Sequence, residues 1–155
     1  MYNRNMEVLS ENKKAGMEYE ILEKFVAGIE LKGFEVKSAR KGSFAVSGAS
    51  CVPEGAGLGQ SEIFLVNSDI HPYQNNNSPS DYNSKRARRL LLNKKEIDYL
   101  LGNFNKGMKI IPLKVFLKNN LVKVEIALVK NKKKGDKREY LKEKDTRREI
   151  KRVVG

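Results

Sequence analysis

The side chains of this sequence that are best suited to chemistry are cations, and they concentrate near its C-terminal end. From residue 131 onward the chain carries 11 Lys and Arg against 5 Asp and Glu, so this segment holds half of the formal net charge of +12. Ammonium and guanidinium groups at this density favour binding to a polyanion, nucleic acid first and an acidic membrane second. A solubilising charged terminus would have the same composition, and both interpretations stay open at this point.

The same segment is poorly suited to folding alone. Leu141 and Ile150 are nine residues apart with only polar residues between them, whereas a helix that packs on a core needs apolar residues three and four apart. We therefore expect residues 130–155 to be disordered when free. Glu143 precedes Arg147 by four, which favours a helix once a polyanion neutralises the bases. One basic row would then follow a helix face: Lys144, Arg148 and Arg152.

A second set of bases is spread through the preceding part of the chain. Its members could line one phosphate-binding face, although lysines on a protein surface are commonly only solvated. They are Lys13, Lys14, Lys37, Arg40 and Lys41.

Residues that could support catalysis are few. His71 lies two residues from Asp69, but no nucleophile or metal site accompanies the pair, and a packed histidine before a turn proline is the simpler interpretation. Cys51 is the only cysteine, which excludes an intramolecular disulfide and a cysteine-based zinc site. The glycine-rich residues 55–59 lack the Lys-Ser/Thr of a phosphate loop. We therefore expect a protein that is not an enzyme and that needs no cofactor or metal.

The elements that must position these side chains are mainly strands. The pattern predicts strands over residues 18–31, 43–52, 62–67, 108–117 and 121–129, a short helix between Gly33 and Gly42, a turn over 53–60 and a polar loop over 74–84. Gly28 is a suitable place for a bulge or tight bend. Asn93, with Glu96 at the third position, predicts a capped helix over 94–105 with a buried stripe. The stripe comprises Ile97, Leu100, Leu101 and Phe104.

Five or six antiparallel strands with two helices predict a small Greek-key barrel of the OB type. Lys118-Asn119-Asn120 is a hairpin-turn signal between the last two strands. We divide the chain into a loose lead-in over 1–10, a mainly β, OB-type RNA-binding barrel with one or two flanking helices over 11–129, and a basic tail over 130–155.

Six stretches, in order and with matching spacing in most gaps, carry a resemblance to a known family. They are ENKKA, AGIELKGFEVKSARKG, DIHPY, RRLLLNKKEIDYLLG, KNNLVKVEIAL and KKKGDKREYLKEKDTRREI. Together they resemble small protein B, the SsrA-binding protein of bacterial trans-translation, from Glu11 to Arg152. The resemblance implies an OB-type barrel that binds the tRNA-like domain of tmRNA. It also implies that the tail enters the empty mRNA channel of a stalled small ribosomal subunit and becomes helical there.

The family's motifs also assign individual residues. Asn12 and Lys13 fall in its N-terminal RNA-binding motif, Glu35 and Lys37 in the short-helix motif, Leu91 in the RLLL motif and Lys123 in the last strand. We add Lys14 and Arg40 to this RNA-binding set because of their charge. The tail motif corresponds to Asp136, Lys137 and Arg138. The chain departs from the family at Gly16-Met17, where Arg-His is usual, at Val26, where Glu is usual, and at Gly135, often aromatic or His.

Two other classes remain as alternatives. A basic structural ribosomal protein or general RNA-binding protein would also use a barrel with a basic tail, and an RNA-processing enzyme would need clustered acidic metal ligands. No apolar run approaches the ~20 residues of a membrane span, and the first 14 residues lack the apolar stretch of an export signal. We therefore expect a cytoplasmic monomer whose partners are tmRNA and the ribosome, with no membrane partner.

Overall fold

A computed structural model describes residues 6–54, 61–72 and 81–132 of the chain. Strands dominate these ranges, and none of the helices there has the length and apolar content of a membrane span. The elements are β1 (Met6–Glu11), α1 (Ala15–Glu18), β2 (Tyr19–Ile29), α2 (Gly33–Arg40), β3 (Phe44–Ala45), β4 (Ser50–Glu54), β5 (Glu62–Val66), β6 (Asp69–Ile70), β7 (Arg88–Leu91), α3 (Lys94–Asn105), β8 (Lys109–Lys118) and β9 (Leu121–Asn131).

The main sheet closes on itself as a ring. Its strands follow the order β8-β4-β5-β7-β2-β9, and β9 pairs again with β8. Strand β1 pairs with the edge of β8 that also pairs with β4, farther along the strand. Strands β3 and β6 form a separate two-stranded sheet. Every pairing is antiparallel. The prediction of a mainly β, OB-type barrel with flanking helices is confirmed.

The core lies inside this ring, and the alternation along β9 shows how the sequence builds it. Val124, Ile126 and Leu128 are at most 2% exposed and belong to the main apolar cluster. Lys123 and Glu125 lie on the opposite face and are partly exposed. Further along that outer face, Ala127 and Val129 are buried in a second, smaller cluster with Ala15 of α1 and Ile111.

The turn and the cap that the sequence predicts are both present. Asn119 and Asn120, between β8 and β9, have φ angles of 52° and 65°, which asparagine tolerates and a type I′ hairpin requires. At the start of α3, the Asn93 side chain accepts a hydrogen bond from the Glu96 N–H at 2.8 Å, and Glu96 Oε1 accepts one from the Asn93 N–H at 3.1 Å. Leu100 of the predicted stripe is fully buried.

The region predicted as one strand over residues 43–52 is divided into β3 and β4. Between them the chain turns, because the Ala49 N–H donates to the Val46 carbonyl at 3.0 Å and Gly48 adopts a φ of 79°. Pro53 and Glu54, assigned by the sequence to a turn, continue β4. Proline and glutamate are both depleted in strands, so the pairing of Pro53 with Ile63 and of Glu54 with Glu62 decides the strand.

The ends of the barrel also differ from the expected boundaries. Met6 to Ser10, which the sequence assigns to a loose lead-in, pair with β8 in strand β1. At the other end β9 continues to Asn131, and the Lys132 N–H donates to the Glu18 carbonyl at 3.4 Å. The single turn α1 is a helix that the sequence does not predict. The predicted tail beyond residue 132 lies outside the described residues.

Candidate nucleic-acid interface

The N-terminal motif is fixed to β8 by its asparagine. The Asn12 backbone N–H donates to the Leu113 carbonyl at 2.8 Å, and the side-chain amide donates to the Pro112 carbonyl at 3.1 Å. These bonds follow directly after the last pair between β1 and β8, so Asn12 extends the contact of the first strand. Lys13 and Lys14 come next and are exposed. The motif thus holds two cations at a fixed place on the barrel surface.

Helix α2 presents a second group of bases. Lys37 and Arg40 lie on its exposed side and line a groove of about 400 Å³ with Lys41, Glu7 of β1 and Leu117 of β8. The other side of the helix is buried through Ala39, which packs in the main core. Because one face of α2 is anchored, the cations on the other face have a defined position.

Glu35, which the short-helix motif assigns to the RNA-binding set, is fully buried. Its carboxylate accepts hydrogen bonds from Arg86, from Arg88 Nε at 2.9 Å and Nη2 at 2.7 Å, and from the Lys32 N–H at 2.8 Å. The Tyr82 hydroxyl lies 2.9 Å from Glu35 Oε2. The carboxylate joins α2 to β7 and to residues 81–86, so Glu35 can serve an RNA surface only by positioning other groups.

The electrostatics of this cluster keep Glu35 ionised. Burial alone would raise the pKa of Glu35, but hydrogen bonds from Arg86, the Lys32 N–H and Arg88 more than offset burial and lower the pKa to about 2. Burial and the neighbouring Glu35 carboxylate raise the pKa of Tyr82 to about 12, so its hydroxyl keeps its proton. Arg88 is itself fully buried and also donates to Ser68 Oγ at 3.0 Å.

Leu91 and Lys123 are brought together across a glycine. Gly28 of β2 pairs with Leu91 of β7 on one side and with Lys123 of β9 on the other. A Cβ at Gly28 would lie 3.2 Å from the Leu91 Cβ, so glycine allows the close approach. The bulge that the sequence predicts at Gly28 occurs instead between Ile21 and Glu23. At Gly28 the pairing of β2 with β9 ends and its pairing with β7 begins. Leu91 is 47% exposed, so an apolar side chain reaches the surface in the row of the sheet that contains Lys123.

The candidate residues do not form one continuous face. Lys37 and Arg40 share their groove with Leu117, whereas Lys123 pairs with the preceding residue of β8, Phe116. Consecutive strand residues point to opposite sides, so these two groups lie near the same end of β8 but on different faces. The N-terminal motif lies farther along β8, beside Leu113.

His71 and Cys51 are the two groups considered for catalysis, and among the described residues neither is arranged for it. His71 Nε2 lies 3.2 Å from Asp69 Oδ2 and its side chain is 71% exposed, so it is not the packed histidine that the sequence suggested. Cys51 is 1% exposed, and burial raises the pKa of its thiol, which disfavours the thiolate. The glycine-rich residues 55–59 lie outside the described residues.

Sequence reasoning missed the residues that surround Glu35. Tyr82 belongs to the predicted polar loop over residues 74–84. Its ring packs edge-on against that of Phe34, with a centroid distance of 4.7 Å. Arg86 and Arg88 belong to a run of basic residues that resembles a solvated surface patch. The only signal in the sequence for a buried arginine is the two-residue period of a strand, extended back from the three leucines that follow. The tail candidates lie outside the described residues: Asp136, Lys137, Arg138, Lys144, Arg148 and Arg152.

Comparisons with known proteins agree along nearly the whole chain. The sequence model of one family, described as "SmpB protein", matches residues 9–155. The SsrA-binding protein of Pelotomaculum thermopropionicum is 45% identical over 150 residues, which cover 96% of this chain and 94% of that protein. The SsrA-binding protein of Thermosipho melanesiensis is 46% identical over 151 residues, covering 96% and 99% of the two chains.

The fold is similar to that of a solved chain. That chain comes from work described as "tmRNA-SmpB: a journey to the center of the bacterial ribosome". It is 39% identical and superimposes with a TM-score of 0.61, covering 80% of this chain and 84% of the other.

Proposed function

Because this chain belongs to the SmpB protein family, we propose that it binds the tRNA-like domain of tmRNA and delivers it to stalled ribosomes for trans-translation. The observation that carries the proposal is the similarity, over 96% of this chain, to a protein named for binding SsrA. The solved chain with a similar fold is described together with tmRNA and the bacterial ribosome. Those names describe binding rather than a reaction, and the function we propose is that of an RNA-binding protein in the cytoplasm.

The barrel supports this function with cations on a rigid frame. We assign RNA contact to Lys13, Lys14, Lys37, Arg40 and Lys123, with Leu91 as an apolar neighbour of Lys123 and with Asn12 fixing the N-terminal motif. Phosphate contacts from such side chains supply affinity and orient the RNA, while exposed bases and 2′-hydroxyls supply the preference for a folded RNA. Glu35 holds α2 against β7 and so keeps Lys37 and Arg40 in place.

The tail has a separate part in this proposal. Residues 133–155 would enter the empty mRNA channel of the stalled small subunit, where the row Lys144, Arg148 and Arg152 contacts RNA walls. Asp136, Lys137 and Arg138 would act at the entrance. The supporting observation is the charge of this segment, whose Lys and Arg exceed its acids about twofold.

A binding titration with a shortened chain tests this division. The chain should end at Lys132, because β9 runs to Asn131 and Lys132 still bonds to Glu18. We expect it to keep most of the full chain's affinity for the isolated tRNA-like domain. An RNA duplex of equal length serves as the control and should bind more weakly. Loss of binding on truncation would assign RNA recognition to the tail instead.

The RNA that copurifies from a bacterial lysate separates this function from that of a structural ribosomal protein. We expect one species of the size of tmRNA, because the barrel recognises a folded RNA and not ribosomal RNA in general. Ribosomal RNA alone would support the structural alternative.

A further inference from the structure

A cavity of about 590 Å³ lies beside the N-terminal motif. It opens between α1, the loop that precedes β4 and the first residues of β8. Pockets that bind small organic ligands have volumes of roughly 300–1,000 Å³, so this cavity is large enough for a nucleotide. Its chemically distinctive lining residues are Lys14, Glu18, Tyr19, Phe104 and Lys109.

The strand arrangement explains why this space stays open. On this edge of β8, β4 pairs only at Ile110, and β1 pairs from Lys114 onward. Asn12 covers the interval between them through its bonds to Leu113 and Pro112. The facing loop consists of Ser47-Gly48-Ala49-Ser50, whose small side chains leave the space unfilled, and Gly48 turns the chain with a φ of 79°.

The lining combines aromatic rings with amines. Tyr19 and Phe104 supply rings, and the Lys109 Nζ lies 5.6 Å from the centroid of the Tyr19 ring. Lys14 and Lys109 are both exposed and lie at the cavity. Proteins that bind single-stranded nucleic acid use this combination, in which aromatic side chains contact bases and cations contact the backbone.

We infer that this cavity takes one unstacked nucleotide of the bound RNA, with the base inside and the adjoining phosphates near Lys14 and Lys109. The Glu18 carboxylate supplies acceptors for N–H groups on the base edge. The inference rests on the proposed function, because a folded RNA offers unpaired bases in its loops. It assigns to Tyr19, Phe104 and Lys109 a role in RNA recognition.

Filling the cavity tests the inference. Ser47 lines the space and is exposed, so Ser47→Trp places an indole there without entering the core. We expect affinity of the full chain for the tRNA-like domain of tmRNA to fall about tenfold, the loss of one base–aromatic contact. The magnitude of the salt slope should fall by at most about two, because the phosphates that adjoin the displaced nucleotide lie near Lys14 and Lys109. The matched control is Ala45→Trp, at an exposed position outside the cavity, and it should bind like the unaltered chain.

The outcomes separate this inference from the function on which it rests. Ser47→Trp with unaltered affinity overturns the cavity assignment while the function stands. Equal weakening by Ser47→Trp and Ala45→Trp also overturns the cavity assignment, because Ala45 lies outside the cavity. No binding by the unaltered chain overturns both.

A second measurement needs no variant and so does not depend on the folding of Ser47→Trp. The tRNA-like domain is prepared with 2-aminopurine at its unpaired positions, one at a time. We expect one position to change its fluorescence on binding, and the other positions to stay unaffected. A uniform response at all positions, or none, overturns the inference.

Discussion

Glu35 joins two parts of the chain that are distant in sequence, helix α2 and residues 82–88. It belongs to α2, and its carboxylate accepts hydrogen bonds from Arg86 and from Arg88 of β7, while the Tyr82 hydroxyl lies within hydrogen-bond distance. Tyr82 also lies 2.8 Å from the Ile70 carbonyl, and its single proton can serve only one of these acceptors at a time. A buried charge of this kind is stabilising only while its partners remain, since an unpaired one is costly.

Replacing Glu35 by Gln should therefore destabilise the barrel by roughly 3–5 kcal/mol, because Arg88 would keep a buried charge without its counter-ion. The matched control is Glu62→Gln. Glu62 pairs with Arg89 at 2.7 Å, but both side chains are more than a third exposed, so its loss should cost at most about 1 kcal/mol. Urea unfolding of the two variants measures the difference. Equal losses would show that the buried cluster contributes no more than a surface pair.

The same carboxylate predicts how stability depends on pH. The pKa of Glu35 is about 2 in the folded chain, below its ordinary value of 4.5. A lowered pKa contributes stability above the ordinary value, and this stability, on the order of 3 kcal/mol, is lost as pH falls from about 5 towards 2. Unfolding free energies measured across this range should decrease for the unaltered chain. The decrease should be smaller for Glu35→Gln, and parallel curves would contradict the assignment.

Lys123 is the residue whose proposed RNA contact can be tested most directly. It lies on the outer face of β9, and its neighbours on the adjacent strands, Gly28 and Phe116, carry no charge. Lys123→Ala should lower affinity for tmRNA and reduce the magnitude of the salt slope by roughly one, while the melting temperature stays unchanged. Lys106→Ala, exposed at the end of α3, is the control and should change neither quantity. An unchanged slope for Lys123→Ala places this lysine outside the interface.

At the scale of the element, β2 shows how strand alternation separates the surface from the core. Val26 is 53% exposed and pairs with Glu125, whereas the next residue, Ala27, is fully buried. Two consecutive positions of one strand thus have opposite requirements. Val26, which differs from the Glu usual in the family, therefore lies where a charge can be solvated.

Val26→Glu should fold with a loss of less than about 1 kcal/mol, most of it from the like charge of Glu125 directly opposite. Ala27→Glu is the matched control, and it should unfold the barrel because an unpaired charge would enter the core. Circular dichroism during urea unfolding distinguishes the two variants. Severe destabilisation by Val26→Glu would mean that this side of β2 is covered.

At the scale of the whole molecule, we propose that the barrel and the tail have different tasks. The barrel binds tmRNA, and the tail acts in the ribosome. Replacing Asp136, Lys137 and Arg138 together with alanine should leave tmRNA binding near normal and block tagging of a nascent chain on a truncated message. The reason is that these residues follow β9 in the sequence, and that Lys137 and Arg138 carry positive charge suited to ribosomal RNA. Binding and tagging are measured on the same variant, and normal tagging would reduce the tail to a solubilising terminus.

Lys144→Pro tests whether the tail acts as a helix. Proline costs about 3 kcal/mol inside a helix and removes a hydrogen-bond donor, so tagging should fall while tmRNA binding is kept. Lys144→Ala removes the same charge but favours a helix, and it serves as the control. Equal tagging by the two variants would show that charge, and not helical structure, decides the activity.

The sequence by itself determined the features that depend on neighbouring residues. The cap at Asn93, the turn at Asn119-Asn120 and the alternation along β9 follow from local hydrogen bonding, tolerated φ angles and a two-residue period. An RNA partner could also be predicted from the sequence, because net charge and the order of the motifs are properties of the linear chain.

Only the tertiary structure decided which polar residues are inside. Glu35 and Arg88 are 53 positions apart and both fully buried, and no local pattern indicates that two charges will meet in the interior. The row Leu91–Gly28–Lys123 and the cavity beside Tyr19 likewise arise from the register of strands that are remote in sequence. Their positions depend on how the ring closes, because pairing between distant strands, and not the preference of any one residue, fixes which side chains become neighbours.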